Sequence, residues 1–345
     1  MTKIFSIKSD DYNKILNECS EIIKTGGTVC FPTETVYGLG VNGLDKNAVA
    51  KIFKAKGRPS DNPLILHISN LKMINDISIS KNDLIYKLAE KFWPGPLTII
   101  LKKSNLVPDE VTAGLDTVAI RMPKNRFALD LISHSNLPIA APSANLSGKP
   151  SPTKAMHCIN DMNNRVDAIV DGGDTLVGLE STVLDLSSQF PTILRPGAIT
   201  FEELKEYIKN LKIDSALFDD NSKLIPKSPG QKYRHYAPNA EAVLFVGAME
   251  KKIKNIAEYK NNNKSKNIVY ILSQELAEKL NYDKTLILGS SKDLNTIAQN
   301  IFKLLREADD LNADLIIIEG FEEKGVGLAV MNRLKKACSY KIIGG

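Results

Sequence analysis

The chain has 345 residues, more than one hydrophobic core usually organises, and so reads as two domains. Its 43% hydrophobic and 25% charged content is ordinary for a globular protein, and 45 basic against 40 acidic residues leave a net charge of +5. That excess suits an anionic small ligand but falls short of the concentrated basic face of a protein that coats nucleic acid.

The first residues, Met1 to Phe5, lack the apolar stretch of a signal peptide, and no run approaches a membrane span, so a cytosolic protein is expected. Tyr12, Ile15, Leu16, Cys19, Ile22 and Ile23 recur at helical spacing within residues 10–25, and Gly26 and Gly27 end that element. Thr28 to Phe31 reads as a short buried strand. A helix from Lys46 to Lys56 follows, capped by Asp45 and stopped by Gly57. Strands are expected at 64–68, 98–101, 117–121, 139–141, 168–171 and 181–185, and helices at 82–92, 125–134, 153–164 and 200–210. This alternation argues an α/β unit, and the short spacing of some strands argues a mixed sheet.

From Asn221 to Pro238 the chain holds three prolines, a glycine and no acid, which excludes regular helix or central strand and marks an extended connector. Strands at 242–246, 267–272, 285–288 and 315–319, with helices at 249–260, 292–309 and 326–338, then form a small second α/β domain. Cys19, Cys30, Cys158 and Cys338 are scattered without CxxC spacing, so each reads as a small buried apolar residue rather than a zinc ligand or disulfide partner.

Gly38-Leu-Gly40-Val-Asn-Gly43 matches GxGxxG, with Asp61 downstream, but a dinucleotide site needs that motif between a strand and a helix start. Here Pro32 to Thr35 precede it and the helix waits for Asp45, so the glycines are read as permitting a tight backbone path. No GxxxxGK[ST] exists, so any nucleotide is held without a P-loop. Lys56-Gly-Arg58-Pro59 can be a basic helix end, but Pro59 and Pro63 stiffen the chain beyond two cations and preorganise them for a polyanion. Arg58 supplies a planar fork and Lys56 a point charge.

Ala140 to Ser151 follows an apolar strand with small hydroxyl and amide side chains suited to phosphate or ribose. The plainer alternative for the same loop is a turn and helix cap, with Ser151 or Thr153 capping the helix near 153. Arg121 ends a buried strand and needs an anion, either a core carboxylate or a substrate's. His67 lies within an apolar strand, where a lone histidine is usually structural.

Several ordered segments together resemble the YrdC-like domain of threonylcarbamoyl-AMP synthases: Pro32 to Gly40, Lys56 to Pro59, Asn62 to Leu64, Phe92 to Thr98, Arg121 to Pro123, Ala141 to Gly148, Glu180 to Thr182 and Arg195 to Gly197. The connector Ser228 to Pro238 and the second domain resemble the longer, two-domain branch of that family.

The resemblance implies a twisted mixed sheet with flanking helices forming a concave basic cavity (residues 1–212), a linker lid (213–239) and a small Rossmann-like α/β domain (240–345). It implies condensation of L-threonine, bicarbonate or CO₂ and Mg²⁺-bound ATP to threonylcarbamoyl-AMP and pyrophosphate, a nucleotidyl transfer. The product serves N6-threonylcarbamoyladenosine formation in tRNAs reading ANN codons, through a downstream transferase complex.

Carried over by motif, Lys56, Arg58, Ser143 and Asn145 form the catalytic phosphate constellation. Asn62, Thr117, Ser151, Arg195 and Tyr236 add ATP contacts. Thr35, His67, Arg121, Ala141 and Ser181 hold threonine, with Arg121 on its carboxylate, while the metal ligands stay unassigned. The absence of GxSxG or a Cys/His nucleophile motif agrees with a reaction that needs no covalent enzyme intermediate. The alternative is a double-stranded RNA or tRNA binding module without turnover, and weak tRNA contact is retained as a secondary expectation.

Overall fold

Most elements expected from apolar periodicity form within a few residues of their expected bounds in a computed structural model, which describes residues 1–217 and 236–344. The chain divides into two units. Gly148–Pro150 and Val177–Leu179 cluster with the second unit, and the remaining described residues up to Leu217 form the first. Of the linker expected at 213–239, residues 218–235 lie outside the described residues, and Ile213 pairs with Ile193 as part of a strand.

In the first unit β1 (Lys3–Ser6) leads to α1 (Tyr12–Lys24), β2 (Val29–Phe31), β3 (Gly38–Asn42), α2 (Lys46–Lys56) and β4 (Ile65–His67). Next come α3 (Met73–Ile77), α4 (Asp83–Phe92), β5 (Leu97–Lys102), α5 (Asp109–Thr112), β6 (Thr117–Arg121) and α6 (Arg126–Ser135). The unit ends with β7 (Ile139–Ala140), α7 (Ala155–Met162), β8 (Ala168–Asp171), β9 (Thr182–Asp185), β10 (Thr192–Arg195), α8 (Phe201–Lys205) and β11 (Lys212–Ile213). The strands make one mixed sheet in the order β1-β8-β2-β3-β7-β4-β6-β5-β9-β10-β11.

Helix limits follow local chemistry. Asp11 and Asp45 accept backbone N–H groups at the starts of α1 and α2, and Gly57 takes the left-handed conformation (φ 64°) that ends α2. Two limits differ from expectation. The helix expected at 153–164 starts only at Ala155, without a side-chain cap: of the two expected caps, the Ser151 hydroxyl is held by Glu180 at 2.5 Å, and the Thr153 hydroxyl is buried without a partner among the described residues. The helix expected at 200–210 stops at Lys205, and the chain then turns to lay β11 beside β10.

The glycine-rich motif is a strand, β3, between β2 and β7. A Cβ on Gly40 would stand 2.6 Å from the Phe31 ring and 2.7 Å from Ile139, so these glycines make room for neighbours rather than for a dinucleotide.

Side-chain alternation divides the sheet's two faces. Leu66, Ile99, Leu101, Val118, Ile120, Leu184 and Ile193 point to one face, where Val49, Ile52, Ile85 and Leu88 of α2 and α4 bury them. Each such fully buried side chain contributes about 1.5–3 kcal/mol, which holds strands of three or four residues that pairing alone would not. The opposite face carries a small apolar patch of Ile65, Ile100, Ala119, Val183 and Leu194. By the same alternation, His67, Thr98, Thr117 and Arg121 stand on that face, around the patch.

In the second unit β12 (Glu241–Phe245), α9 (Met249–Asn262), β13 (Ile268–Leu272), α10 (Gln274–Leu280) and β14 (Thr285–Ile287) come first. Then follow α11 (Leu294–Asp310), β15 (Leu315–Glu319), α12 (Val326–Ala337) and β16 (Ile342–Ile343). Its sheet is wholly parallel, ordered β14-β13-β15-β12-β16, and the unbroken apolar runs of β13 and β15 suit strands covered on both faces. Glu319 ends β15 fully buried, bound by the Lys252 ammonium and the Ser273 amide. All four cysteines are buried, as expected, and none is in a disulfide. Among the described residues no helix is long and apolar enough to cross a membrane.

Candidate functional site

The phosphate-constellation candidates converge at the end of α2. Lys56, 3% exposed, turns its ammonium into the loop after β7, donating to the carbonyls of Ser143 and Asn145, the latter at 2.7 Å. The Ser143 hydroxyl donates to Asn145 Oδ1 at 2.5 Å, which fixes both small polar side chains beside the lysine. Burial pulls Lys56 down from its ordinary range to about 7, and the nearby Arg58 charge acts in the same direction.

Arg58 folds back over its own loop, donating to the Asn62 carbonyl at 2.8 Å, with its guanidinium 5.9 Å from the Phe53 ring. Asn62 is fully buried, and neither its amide oxygen nor its amide nitrogen has a partner among the described residues. A buried amide so placed is expected to be completed by a ligand.

Of the threonine-binding candidates, Thr35 and His67 gather about Arg121. Its guanidinium donates to Thr35 Oγ1 at 3.0 Å, to Glu34 Oε1 at 2.7 Å and to the Gly95 carbonyl at 3.3 Å. The arginine's need for an anion is therefore met in the protein by Glu34, a residue the sequence did not single out. His67 lies directly across from Arg121 in the β4–β6 pairing. Burial, then the Arg121 charge, lowers His67 to about 3, so the imidazole is neutral at physiological pH. Its Nδ1 has no partner among the described residues. Ala141 borders this group, but its amide is used by the Ile65 carbonyl at 3.0 Å.

A third cluster joins β5, β9 and β10. Thr98 and Ser181 share a hydrogen bond of 2.7 Å, and Arg195 donates to the Ser181 hydroxyl and carbonyl, both at 3.0 Å. A bulge between Ile193 and Arg195 brings Leu194 and Arg195 together beside Val183. Ser151 meets Glu180 next door in sequence to Ser181. Thr117 shares the Arg121 face but starts β6, opposite Lys102, and makes no side-chain hydrogen bond among the described residues. Tyr236 belongs to the second unit, where its ring lies 5.0 Å from Phe302 and 5.9 Å from the Arg333 guanidinium.

Beside Glu34, the structure adds Thr33, Thr98 and Glu180 to these clusters. The available signal was acid placement: Glu34 and Glu180 each sit among small and apolar residues, where a carboxylate needs a partner.

Gly197 supports the third cluster by close approach. A Cβ there would lie 2.3 Å from the Thr182 amide nitrogen and 2.7 Å from the Glu180 carbonyl. Gly197→Ala should cost about 1–3 kcal/mol and displace Ser181 and Glu180. Thermal denaturation would register the first effect, and a melting temperature unchanged from the parent would show that the backbone accommodates the methyl group.

Residues 21–197 match the Sua5/YciO/YrdC family, described as "Telomere recombination", and residues 199–339 match the C-terminal domain of threonylcarbamoyl-AMP synthase. The chain is 46% identical to the threonylcarbamoyl-AMP synthase of Pyrococcus abyssi, over 99% of both chains. It is 45% identical to the enzyme of that name in Bacillus subtilis, over 94% of this chain and 93% of the other. A crystal structure of P. abyssi Sua5 complexed with L-threonine superposes with a TM-score of 0.93, at 46% identity and 99% coverage of both chains.

Proposed function

The chain belongs to the Sua5/YciO/YrdC family, in the form that carries the synthase C-terminal domain, and from that premise we propose that it is an L-threonylcarbamoyladenylate synthase. It condenses L-threonine, bicarbonate or CO₂, and ATP into threonylcarbamoyl-AMP and pyrophosphate, a nucleotidyl transfer. The product supplies N6-threonylcarbamoyladenosine modification of tRNA through a downstream transferase. The observation that carries this reading is full-length similarity together with two built clusters on one unit: the buried Lys56 cradle and the Arg121 group.

On this reading, Arg121 binds threonine's carboxylate, and Thr35, neutral His67 and Ser181 complete its subsite. A neutral imidazole adds no positive charge beside the amine that must capture CO₂ as a carbamate. Lys56 and Arg58 face the triphosphate, where the carbamate oxygen attacks the α-phosphorus and pyrophosphate leaves. Ser143 and Asn145 hold the lysine in place, so catalysis is positioning plus cationic stabilisation of phosphate charge.

Among the described residues no three His, Cys, Asp or Glu side chains gather as a metal cage, which fits a Mg²⁺ carried mainly on ATP's phosphate oxygens and water. Bound there, the ion would neutralise phosphate charge.

Pyrophosphate release by the purified protein with ATP, Mg²⁺ and bicarbonate, with and without threonine, tests the proposal. Release should require both threonine and bicarbonate and fall at least 100-fold in Arg58→Ala, on the scale of losing one transition-state charge contact. Threonine-independent release, or none, would overturn it.

A further inference from the structure

Threonine reaches its subsite as a zwitterion, and Arg121 answers only its carboxylate. The arginine is moreover not a spare cation, since its charge is already balanced by Glu34 across a buried contact of 2.7 Å. Adding a carboxylate alone to this pair would leave one uncompensated negative charge in a region where Arg121 and Glu34 are 4% and 5% exposed. An ammonium arriving on the same ligand restores neutrality, provided it meets an anion.

Glu34 supplies one. Its Oε1 holds Arg121, while Oε2 is buried and has no partner among the described residues. Buried carboxylate oxygens ordinarily accept hydrogen bonds, so this second oxygen is the acceptor that a donor is missing from. The loop carrying it is fixed. Thr33 Oγ1 donates to the Val36 carbonyl at 2.6 Å and bonds Thr35 Oγ1 at 2.9 Å, and Thr35 in turn bonds Arg121. The neighbouring His67 is neutral and does not repel an ammonium.

We propose that Glu34 is the ammonium ligand of the threonine subsite, so that Glu34 and Arg121 together form a receptor for the amino-acid zwitterion. The proposal rests on the synthase reading and adds a residue to it. The alternative role for Glu34, orienting Arg121 only, predicts a different pattern of losses.

The test titrates full-length protein calorimetrically with L-threonine and with 2,3-dihydroxybutyrate, which keeps the carboxylate and the hydroxyl but lacks the amine. The parent should prefer threonine by about 10- to 100-fold, the scale of a charge-assisted hydrogen bond. In Glu34→Gln that preference should collapse towards unity, threonine weakening by about the same factor while the amine-free acid binds as before or better. Glu34→Asp should keep a preference for the amine.

Equal weakening of both ligands in Glu34→Gln would show that Glu34 acts only through Arg121, and an unchanged preference would also overturn the proposal. Should Glu34→Gln fail to fold, a parent preference near unity, or loss of preference in a folded Glu34→Asp, refutes it. Failure of the parent to release threonine-dependent pyrophosphate sinks the synthase reading instead, so the two failures are distinguishable.

Discussion

Arg121→Gln should abolish threonine-dependent pyrophosphate release and lower the unfolding free energy by about 3–5 kcal/mol. Both effects come from one geometry. Arg121 and Glu34 are almost fully buried, and removing the guanidinium leaves the Glu34 carboxylate charged without its cation. An exposed ion pair would cost at most about 1 kcal/mol to break, so the size of the loss itself reports burial. Glu34→Gln/Arg121→Gln should recover much of the stability, because no unpaired charge remains, yet it should not recover turnover. Urea denaturation of the single and double variants measures the first part. A single-variant loss below about 1 kcal/mol would mean that water reaches the pair. Threonine-dependent turnover that survived in Arg121→Gln would place the substrate carboxylate elsewhere.

The same residue shows how far the sequence could be read. An arginine at the end of Thr117-Val-Ala-Ile-Arg121 needs an anion on physical grounds, but local patterning does not reveal whether the anion is internal or brought by a substrate. The partner, Glu34, lies 87 positions away and is placed by the loop after β2, a tertiary fact. Helices such as Tyr12–Lys24 and Lys46–Lys56 were legible because periodicity, cap and stop agreed within one segment. Strand β3 was not, because Leu39 and Val41 face one core while every position on its other face up to Gly40 is a glycine, whose packing role appears only once Phe31 and Ile139 lie over it. The start of α7 departs from expectation for a related reason. Ser151 and Thr153 are both good caps by type, but neither bonds the helix start, and Ser151 is held instead by a carboxylate 29 positions away.

Site residues divide along the same line. Those on contiguous motifs, Lys56 with Arg58 and Ser143 with Asn145, could be grouped by type and by resemblance, and the Lys56 contacts bring the two motifs together. Thr117 and Tyr236 enter none of the first unit's side-chain clusters, one because it begins its strand and the other because it packs in the second unit. Faces of a mixed sheet depend on register, and register is not written in any single strand.

Lys56→Met should reduce pyrophosphate release at least 100-fold while filling nearly the same volume, since it removes the charge and the donors but not the packing. The pH dependence should identify the cause. Burial and Arg58 lower the folded lysine from 10.5 to about 7, with Cys30, Asp161 and Cys158 opposing this more weakly. Between about 7 and 10.5 the unfolded chain therefore binds more protons than the folded one, so this lysine makes stability rise with pH across that window and contributes least below it. Lys56→Met should lack that rise. A bound triphosphate favours the ammonium, so nucleotide binding above pH 7 must take up a proton and weaken as pH climbs. In Lys56→Arg, whose cation does not titrate, this part of the slope should disappear, and the protons that ATP itself exchanges remain the same in both proteins. Calorimetry at pH 8 in two buffers of different ionisation enthalpy would count the protons. An equal count in the parent and Lys56→Arg would show that the buried ammonium does not face the phosphates, and the catalytic role assigned to it would then fall.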